Sequence, residues 1–372
     1  MSPVTTLVPS PVRIIGTGLI GGSLGMALSR AGVSVQVEDV SPGTTALAVE
    51  LGVGTRATET DPDPALVLVA APPDVTAEVT ARALRTWPEA LVADVASVKA
   101  TVLEALRALV DAEQLTRYIG THPMAGREVS GVIAARGDLF RGRPFVIVPH
   151  GTTRPEATTA MKGLATELGS VPVVMDAAAH DLAVAHVSHV PQVLSSLLAT
   201  TLLSPTENAL ALAGQGLRDT TRIADSDPRL WVEILGANAQ AVAQVLGSAR
   251  DRLDGVIGAL ESLAGDPDPA IGSRRALADL VADGNRGVRR IPGKHGGAGD
   301  DFGTLTVLVP DRPGELARLL TEIGDIGVNL EDLRLEHTLG QRVGLAHLAV
   351  AAAREDLLTR ELAERGWTVA EG

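Results

Sequence analysis

The sequence predicts three folded units in series: a doubly wound α/β sheet, an all-helical unit and a small α+β unit. Short β-branched runs alternate with helical patterns over residues 11–176, whereas 177–285 contains long apolar-striped helices without strands. Residues 302–372 follow the order βαββαβ, and 286–301, which is rich in glycine and basic residues, is typical of a linker. Alternating strands and helices indicate a mostly parallel sheet that is covered on both faces.

Composition and charge limit the classes of function. The 372 residues are 45% hydrophobic and 21% charged, and a net charge of −13 without a sustained basic run argues against a nucleic-acid or anionic-membrane surface. The absence of cysteine excludes disulfides, thiolate chemistry and cysteine-ligated zinc. We find neither a signal-peptide pattern nor an apolar run of about 18 residues. We therefore expect a cytoplasmic protein that binds small molecules and copies of itself.

The first strand and the first helix are joined by a glycine-rich turn. A β-branched run at 12–15 is followed by GTGLIG at 16–21 and then by helical spacing. Gly16 permits the tight turn, Gly18 lets the backbone approach a pyrophosphate, and Gly21 lets the helix lie close to the strand. The predicted cofactor contacts in this segment are Gly16, Gly18, Leu19, Ile20 and Gly21.

An acidic pair follows the second predicted strand. The strand at 33–37 ends in Glu38 and Asp39, about twenty residues after the glycines. A carboxylate at this place binds a ribose 2′-hydroxyl and repels a 2′-phosphate. We therefore predict a Rossmann-type sheet that binds NAD rather than NADP, with Asp39 as the ribose ligand and Glu38 as the second choice. Ala71 and Pro72, which follow the next strand, complete the predicted cofactor site.

Further segments extend the sheet and end in polar residues. The runs at 65–70 and 90–95 are continuously apolar, which is typical of buried parallel strands. Further strands are predicted at 143–149 and 170–175, on either side of a helix at 155–168. Ligands of such sheets bind outside the carboxyl ends of the strands. Ser97 and Lys99 follow one strand, and His122, within GTHPMAG, is predicted to follow another. Lys99 either belongs to the site or is solvated at a helix start.

The second unit is predicted to be all-helical. Its long helices cover 180–203 and 228–263, and the second begins with Asp227 as N-cap and Pro228 at the first helical position. The apolar stripes exceed what one small unit needs to cover itself. We therefore expect a homodimer.

The third unit is predicted to be a ferredoxin-like sheet backed by two helices. Its strands are predicted at 304–309, 330–337, 343–350 and 367–370, and its helices at 313–326 and 354–365. The loop Asp311-Arg312-Pro313-Gly314 places backbone N–H groups at a helix N-terminus, where they could accept the carboxylate of an amino acid. The alternative is a plain dimerisation module.

Several motifs, in a fixed order, resemble those of the prephenate/arogenate dehydrogenase (TyrA) family. They are GTGLIGGSLGMAL, DVASVK, GTHPMAGREVSG, HDLAVAHVSHVPQ and RDTTRIADSDPRLW. The stretches VPDRPGELARLL and GVNLEDL resemble an ACT regulatory domain. The resemblance implies NAD-dependent oxidative decarboxylation of prephenate to 4-hydroxyphenylpyruvate in tyrosine biosynthesis, or of arogenate to tyrosine. It also implies an amino-acid effector, tyrosine being the simplest choice, at Asp311, Pro313, Gly314 and Asn329.

The reaction needs one general base and anion clamps. An imidazole with a pKa of about 6.5 can take up a hydroxyl proton at neutral pH, and His122 matches this family position. Ser97 is expected to orient that imidazole or to contact the hydroxyl. Arg222 matches the family arginine that binds the substrate carboxylate, with Arg218 in reserve. The other expected substrate contacts are His189, Asp219, Trp231 and Glu128, and a carboxylate of Glu128 or Asp219 would favour the ammonium of arogenate.

Other interpretations remain open. A related 6-phosphogluconate-dehydrogenase-like hydroxy acid dehydrogenase would share the glycines and the helical second unit, but it lacks the pairing of GTHPMAG with TRIA. A non-catalytic sensor of NAD and amino acids would share the fold, although a base and a carboxylate clamp together favour an enzyme. A metal site at His180, His186 and His189 lacks a companion carboxylate pattern, so we expect no metal.

Overall fold

The chain divides into two compact units, Met1–Ala249 and Arg250–Gly372. The structure is a computed structural model, and it describes residues 7–126, 131–265, 272–291, 302–337 and 343–371. The boundary between the two units falls inside one helix, Ala239–Gly265.

An eight-stranded sheet forms the centre of the first unit. Its strands are β1 (Val12–Ile15), β2 (Val35–Glu38), β3 (Thr55–Arg56), β4 (Leu66–Val69), β5 (Leu91–Asp94), β6 (Tyr118–Pro123), β7 (Pro144–Val148) and β8 (Val171–Val174). In space they follow the order β3-β2-β1-β4-β5-β6-β7-β8. Neighbouring strands are parallel except β6 and β7, which are antiparallel. The central strand β4 is buried at every position, as expected for a strand covered on both faces.

Helices cover both faces of this sheet. They are α1 (Leu19–Arg30), α2 (Pro42–Glu50), α3 (Pro73–Thr86), α4 (Ala100–Leu109), α5 (Ala112–Thr116) and α6 (Pro155–Glu167). Ile14 of β1 packs in one core with Leu24 of α1. Val67 of β4 packs in a second core with Leu84 of α3. The Rossmann-type doubly wound architecture predicted from the sequence is therefore confirmed.

The position of His122 differs from the prediction. The sequence pattern places it after a strand, but in the structure it lies within β6, where its side chain is half-buried. The strand continues this far because β6 pairs with β7, and His122 is in register with Val146. Strand β6 thus carries the imidazole on regular backbone rather than on a loop.

The described chain after β8 is helical as far as residue 265. The helices are α7 (Ala177–Val184), α8 (Val190–Thr200), α9 (Glu207–Leu210), α10 (Gln215–Thr221), α11 (Pro228–Ala237) and α12 (Ala239–Gly265). A π-helical turn, Ala185–His189, joins α7 to α8. The predicted cap is confirmed, because the Asp227 carboxylate accepts a hydrogen bond from the backbone N–H of Arg229 at 2.9 Å. The long helix predicted from Pro228 is divided at Asn238 into α11 and α12.

One helical run, Ala177–Leu203, is long and apolar enough to span a membrane by length and composition. This corrects the expectation that no segment reaches that length. A count of uninterrupted apolar residues misses a helix whose mean hydropathy is 1.3 although it contains polar residues. Apolar side chains are exposed on this run, among them Val187, Leu197 and Leu203. An exposed apolar face of this kind is typical of a subunit interface.

The second unit contains the end of α12 and the helix α13 (Ser273–Val288). α13 extends into the stretch predicted as a linker, because a glycine inside a helix costs only about 1 kcal/mol and does not by itself end it. The backbone N–H of Arg289 still donates to the carbonyl of Asn285 at 3.2 Å. Residues 292–301 of the predicted linker lie outside the described residues.

A four-stranded antiparallel sheet backed by two helices completes the second unit. Its elements are β9 (Phe302–Pro310), α14 (Glu315–Ile326), β10 (Leu330–His337), β11 (Val343–Ala351), α15 (Ala352–Glu364) and β12 (Thr368–Glu371). The strands follow the order β10-β11-β9-β12. Leu319 of α14 and Leu358 of α15 pack on Val307 of β9 in its core. The predicted βαββαβ arrangement is confirmed.

Candidate active site

The glycine-rich turn after β1 packs closely on its neighbours at two of its glycines and is open at a third. Gly16 has φ +93°, and a Cβ there would lie 2.4 Å from the carbonyl oxygen of Ala70. A Cβ on Gly21 would lie 1.9 Å from the carbonyl oxygen of Gly16, so α1 meets the turn after β1 in backbone contact. By contrast, a Cβ on Gly18 would meet no atom within 4 Å. The space in front of Gly18 therefore fits a group that approaches the backbone, as a pyrophosphate does.

The start of α1 suits an anion. Leu19 and Ile20 open the helix, whose first turn carries no acidic residue and no capping side chain. The positive end of the helix dipole thus faces the space beside Gly18. Ala71 and Pro72 follow β4 beside Gly16, and Pro72 caps α3. The glycine loop thus lies against the end of β4, where a Cβ on Gly16 would also lie 3.3 Å from the backbone nitrogen of Ala71.

Asp39 lies at the glycine loop, whereas Glu38 is engaged elsewhere. The Asp39 carboxylate accepts hydrogen bonds from the backbone N–H and the hydroxyl of Thr17, at 2.8 and 3.1 Å. Glu38 instead forms an ion pair with Arg13 at 3.3 Å. The guanidinium of Arg13 lies over the ring of Trp87, 5.2 Å from its centroid. Of the two acids, Asp39 is the one with its carboxylate at the nucleotide loop.

A chain of hydrogen bonds runs from His122 into the helical region. The Nδ1 atom of His122 lies 2.9 Å from Nε2 of His180, and Nδ1 of His180 lies 2.7 Å from the Asp181 carboxylate. Asp181 also accepts the backbone N–H groups of Lys99 and Ala100, each at 2.8 Å. The start of α4 and the residues of α7 are thus joined directly behind the imidazole of His122.

A second polar cluster lies beneath this chain and is completely buried. The ammonium of Lys99 forms an ion pair with Asp94 and donates to the backbone carbonyl of Thr121 at 2.7 Å. The hydroxyl of Tyr118 donates to the other carboxylate oxygen of Asp94 at 2.7 Å. Thr121 precedes His122, so Lys99 supports the strand that carries the imidazole. Of the two alternatives for Lys99, solvation at a helix start is therefore wrong.

Burial shifts the pKa values of this cluster. The loss of hydration lowers the pKa of His122 well below 6.5, and the neighbouring His180, Lys99 and His189 lower it further. Burial also lowers the pKa of Lys99 and raises that of Tyr118 well above its usual value. Burial alone would raise the pKa of Asp181, but hydrogen bonds from His180 and the two backbone N–H groups lower it overall. The imidazole of His122 is thus neutral across the neutral pH range.

His189 lies on the π-helical turn and packs against α11 and its end. Its Nδ1 atom lies 3.0 Å from the side-chain nitrogen of Asn238, which also donates to the carbonyl of Asp181 at 2.8 Å. The ring of Trp231 meets the ring of His189 edge-on, with centroids 6.2 Å apart. Burial lowers the pKa of His189. The structure therefore joins His189 and Trp231, two predicted substrate contacts, to the hydrogen-bond chain behind His122.

The remaining predicted site residues lie on exposed or half-buried positions. Ser97 is half-buried in the loop between β5 and α4, and no hydrogen bond of its hydroxyl is seen among the described residues. Arg218 lies on α10, and Arg222 opens the 3-10 turn that follows, both exposed. Asp219 is exposed and accepts a hydrogen bond from Gln215 at 2.8 Å. Glu128 lies outside the described residues.

The histidines of the helical region do not gather around a common point. His180 and His189 are buried and hydrogen-bonded, whereas His186 is exposed. In the part of the chain that the structure describes, no group of three or more metal-ligating side chains is found.

The polar partners of His180, His189 and Lys99 were not predicted from the sequence. Asp181, Asn238, Asp94 and Tyr118 were not among the predicted site residues. One signal was present for Asp181, because it directly follows His180 in HDLAV. Asn238 and Tyr118 reach the cluster only through contacts between elements that are distant in sequence.

An open glycine loop at the carboxyl ends of parallel strands and a half-buried neutral histidine define a dinucleotide-dependent dehydrogenase. Residues 24–174 match the family model described as prephenate dehydrogenase, nucleotide-binding domain. Residues 176–267 match the model described as prephenate dehydrogenase, dimerization domain. The chain is 34% identical over 358 residues to the probable prephenate dehydrogenase NovF of Streptomyces niveus, with 95% of this chain and 98% of that protein covered. The chain belongs to the prephenate dehydrogenase family.

Solved structures agree with this assignment. Prephenate dehydrogenase from A. aeolicus, crystallised with hydroxyphenyl propionate and NAD+, is 26% identical with a TM-score of 0.63, and the match covers 74% of this chain and 97% of that one. Synechocystis arogenate dehydrogenase is 27% identical with a TM-score of 0.61, and the match covers 74% and 99%. The exposed apolar residues of the run Ala177–Leu203 fall within the matched dimerization domain, which supports a homodimer.

We expect Lys99→Met to destabilise the protein by about 3–5 kcal/mol, because it leaves the Asp94 carboxylate buried without its counter-ion. The double variant Lys99→Met/Asp94→Asn should recover a large part of this loss, since no unpaired charge remains. Lys162→Met, at an exposed position of α6, is the matched control and should leave stability within about 0.5 kcal/mol. Chemical denaturation measures all three. Equal effects of Lys99→Met and Lys162→Met would contradict the assignment of a buried ion pair.

Proposed function

We propose that this protein catalyses the NAD-dependent oxidative decarboxylation of prephenate to 4-hydroxyphenylpyruvate, a step of tyrosine biosynthesis. The observation that carries the proposal is the half-buried His122, whose neutral imidazole lies at the end of β6 in a member of the prephenate dehydrogenase family. The substrate has a ring alcohol opposite a quaternary carbon that bears a carboxylate. Removal of the alcohol proton and the hydride gives a dienone, which loses CO2 and becomes aromatic.

NAD+ supplies the acceptor for the hydride. In our proposal the backbone at Gly18 and the start of α1 bind the pyrophosphate, and Asp39 binds the ribose 2′-hydroxyl. Ala71 and Pro72 line the cofactor on the side of β4. The open space at Gly18 and the position of Asp39 on the same loop support this arrangement.

His122 acts as the general base for the substrate hydroxyl. Its lowered pKa keeps the imidazole unprotonated at neutral pH, so it is ready to accept the proton. Ser97, at the end of the adjacent β5, contacts the hydroxyl in this proposal rather than orienting the imidazole, since Nδ1 of His122 is already bound to His180. Removal of the proton and of the hydride then converts the alcohol to a ketone.

The helical region holds the substrate in our proposal. Arg222 binds a substrate carboxylate with its forked guanidinium, and Arg218 is the reserve candidate. His189 and Trp231 contact the substrate side chain, and their edge-on packing supports a shared role. Asp219 is assigned to pairing with neighbouring polar groups, as its bond with Gln215 suggests.

Arogenate is the second candidate substrate, because a solved structural relative is named arogenate dehydrogenase. Arogenate carries an ammonium in place of the keto oxygen of prephenate, and Glu128 or Asp219 is the predicted carboxylate that would favour it. NADH formation with prephenate and with arogenate, each with NAD+ and with NADP+, tests the proposal. Faster turnover of prephenate with NAD+ would support the proposal, whereas faster turnover of arogenate would make arogenate the substrate. Turnover of neither compound would overturn the proposed function.

The C-terminal βαββαβ unit is proposed to be an ACT domain that binds tyrosine. Gly314, with φ +93°, caps α14, so the loop from Asp311 through Pro313 leads directly to a helix N-terminus. Asn329 lies just before β10 and is exposed. We further propose that the protein is a cytoplasmic homodimer without nucleic-acid or membrane partners.

Asp39→Ser is expected to shift cofactor preference towards NADP+, because it removes a carboxylate that would face a 2′-phosphate. The matched control is Glu38→Gln, whose carboxylate already pairs with Arg13 and whose loss should leave the preference unchanged. The ratio of kcat/KM values for NAD+ and NADP+ is the measurement. A shift in Glu38→Gln but not in Asp39→Ser would make Glu38 the ribose ligand.

His122→Asn is expected to lower kcat by about a hundredfold or more, the usual loss for a general base, with little change in NAD+ affinity. Because the pKa of His122 is lowered well below 6.5, the rate in the unchanged protein should fall only at pH values below 6.5. This acid limb should disappear in His122→Asn. Steady-state rates across the pH range test both points, and an unchanged pH profile would remove His122 from the role.

Arg222→Ala is expected to raise KM for the substrate by roughly ten- to a hundredfold, since a charge-assisted contact to a carboxylate is worth about 1.5–3 kcal/mol. NAD+ affinity should hardly change. Arg218→Ala, one turn earlier on α10, is the comparison. A large effect of Arg218→Ala with a small effect of Arg222→Ala would exchange the two assignments.

Tyrosine is expected to alter the melting temperature and the activity of the full-length protein, with a coupling free energy of about 1–3 kcal/mol. Asn329→Ala should abolish the response, whereas Asp325→Ala, exposed near the other end of α14, should retain it. Thermal unfolding and rate measurements with tyrosine, phenylalanine and tryptophan test this. No response to any of them would leave the unit as an assembly module, and full inhibition of Asn329→Ala would place tyrosine in the substrate site.

A further inference from the structure

The imidazole of His180 lies directly behind that of His122. The two rings meet edge-on, with centroids 5.1 Å apart, and His180 has no exposed surface. Asp181, which contacts His180 on its far side, is only 5% exposed. These two residues form a buried pair that contacts the proposed general base.

The Asp181 carboxylate is held in one orientation. One of its oxygens accepts the backbone N–H of Lys99 and the other accepts that of Ala100, both at 2.8 Å. These N–H groups belong to the start of α4, where no other side chain caps the helix. Hydrogen bonds from His180 and from this backbone lower the pKa of Asp181, so the carboxylate is ionised and can only accept hydrogen bonds.

An ionised Asp181 determines which nitrogen carries the proton in each ring. Nδ1 of His180 must donate to the carboxylate, so in neutral His180 the Nε2 atom has only a lone pair. Nδ1 of His122, 2.9 Å away, must then donate to that lone pair. Neutral His122 is left with a lone pair on Nε2, the nitrogen that does not face His180.

We propose that His180, held by Asp181, is a positioning residue that keeps His122 in its Nδ1–H tautomer and presents the Nε2 lone pair to the substrate hydroxyl. This inference rests on the proposed function for its consequence in turnover. The tautomer itself is a property of the protein without substrate. The other charged or titratable groups that influence His122 are Lys99 beneath the strand and His189 on the π-helical turn.

The proton balance of the reaction agrees with the burial of His180 and Asp181 away from solvent. The hydroxyl proton moves to Nε2 of His122 as the hydride leaves the same carbon for NAD+, and the oxygen becomes a carbonyl. The C–C bond to the carboxylate then breaks, CO2 leaves, and the electron pair enters the ring to give a phenolate at that oxygen. The phenolate takes the proton back from Nε2. No net proton is released, so His180 and Asp181 need to stabilise a transient imidazolium rather than conduct a proton to water.

Two substitutions of His180 distinguish its role as a hydrogen-bond acceptor for His122 from its role in packing. His180→Phe keeps the ring shape but provides no acceptor for Nδ1–H of His122, and we expect kcat to fall by about a hundredfold or more, as for a base in the wrong tautomer. His180→Gln offers an amide oxygen near the position of Nε2, and kcat should stay within about tenfold of the unchanged protein. His186→Gln, at an exposed position on the same helical run, is the matched control and should not change kcat.

The tautomer is measured by NMR of the 15N-labelled histidine side chains in the full-length protein without substrate. We expect His122 to be protonated on Nδ1 in the unchanged protein and in His180→Gln, and on Nε2 in His180→Phe. Protonation on Nε2 in the unchanged protein would overturn the proposal, as would equal losses of kcat in His180→Gln and His180→Phe. If neither prephenate nor arogenate is turned over, the proposed function fails, and the NMR result still decides the inference about His180.

Discussion

The buried Lys99 is the residue on which the geometry of the site depends. Its ammonium pairs with Asp94 at the end of β5 and donates to the carbonyl of Thr121 in β6. Its backbone N–H binds Asp181 of α7. A single residue therefore joins two strands of the sheet to the helical region. A buried charge is tolerated only where its partners are fixed, so this ion pair and its hydrogen bonds hold the three elements in one arrangement.

The imidazole of His122 takes its properties from this arrangement. It lies on regular strand backbone, and its Nδ1 atom is bound by a histidine that is itself held by a carboxylate. The loss of hydration and the charges around it lower its pKa. The cofactor loop follows a different principle, because its geometry comes from backbone contact between Gly21 and Gly16 rather than from charge. Regular strand backbone thus positions the imidazole of His122, and close backbone contact positions the glycine loop.

The helical region carries His180 and His189 on an irregular helix. The π-helical turn Ala185–His189 lies between α7, which carries His180, and α8. π-helical turns of this kind are frequent at functional sites because the extra residue changes the direction of the side chains that follow. The same run exposes apolar side chains within the matched dimerization domain, so His180, His189 and this apolar surface lie on one stretch of chain.

Short-range patterns in the sequence determined the order of the elements, the glycine loop with Asp39, the small C-terminal sheet and the motif that contains His122. These follow from periodicity, turn chemistry and motif resemblance, which need only neighbouring residues. The tertiary structure decided that Lys99 is buried, that His122 lies inside a strand, and that His180 and Asp181 stand behind it. The contacts that join Lys99 to Thr121 and Asp181, and His122 to His180, connect residues 22 to 82 positions apart along the chain. No local pattern records which distant polar groups burial brings together.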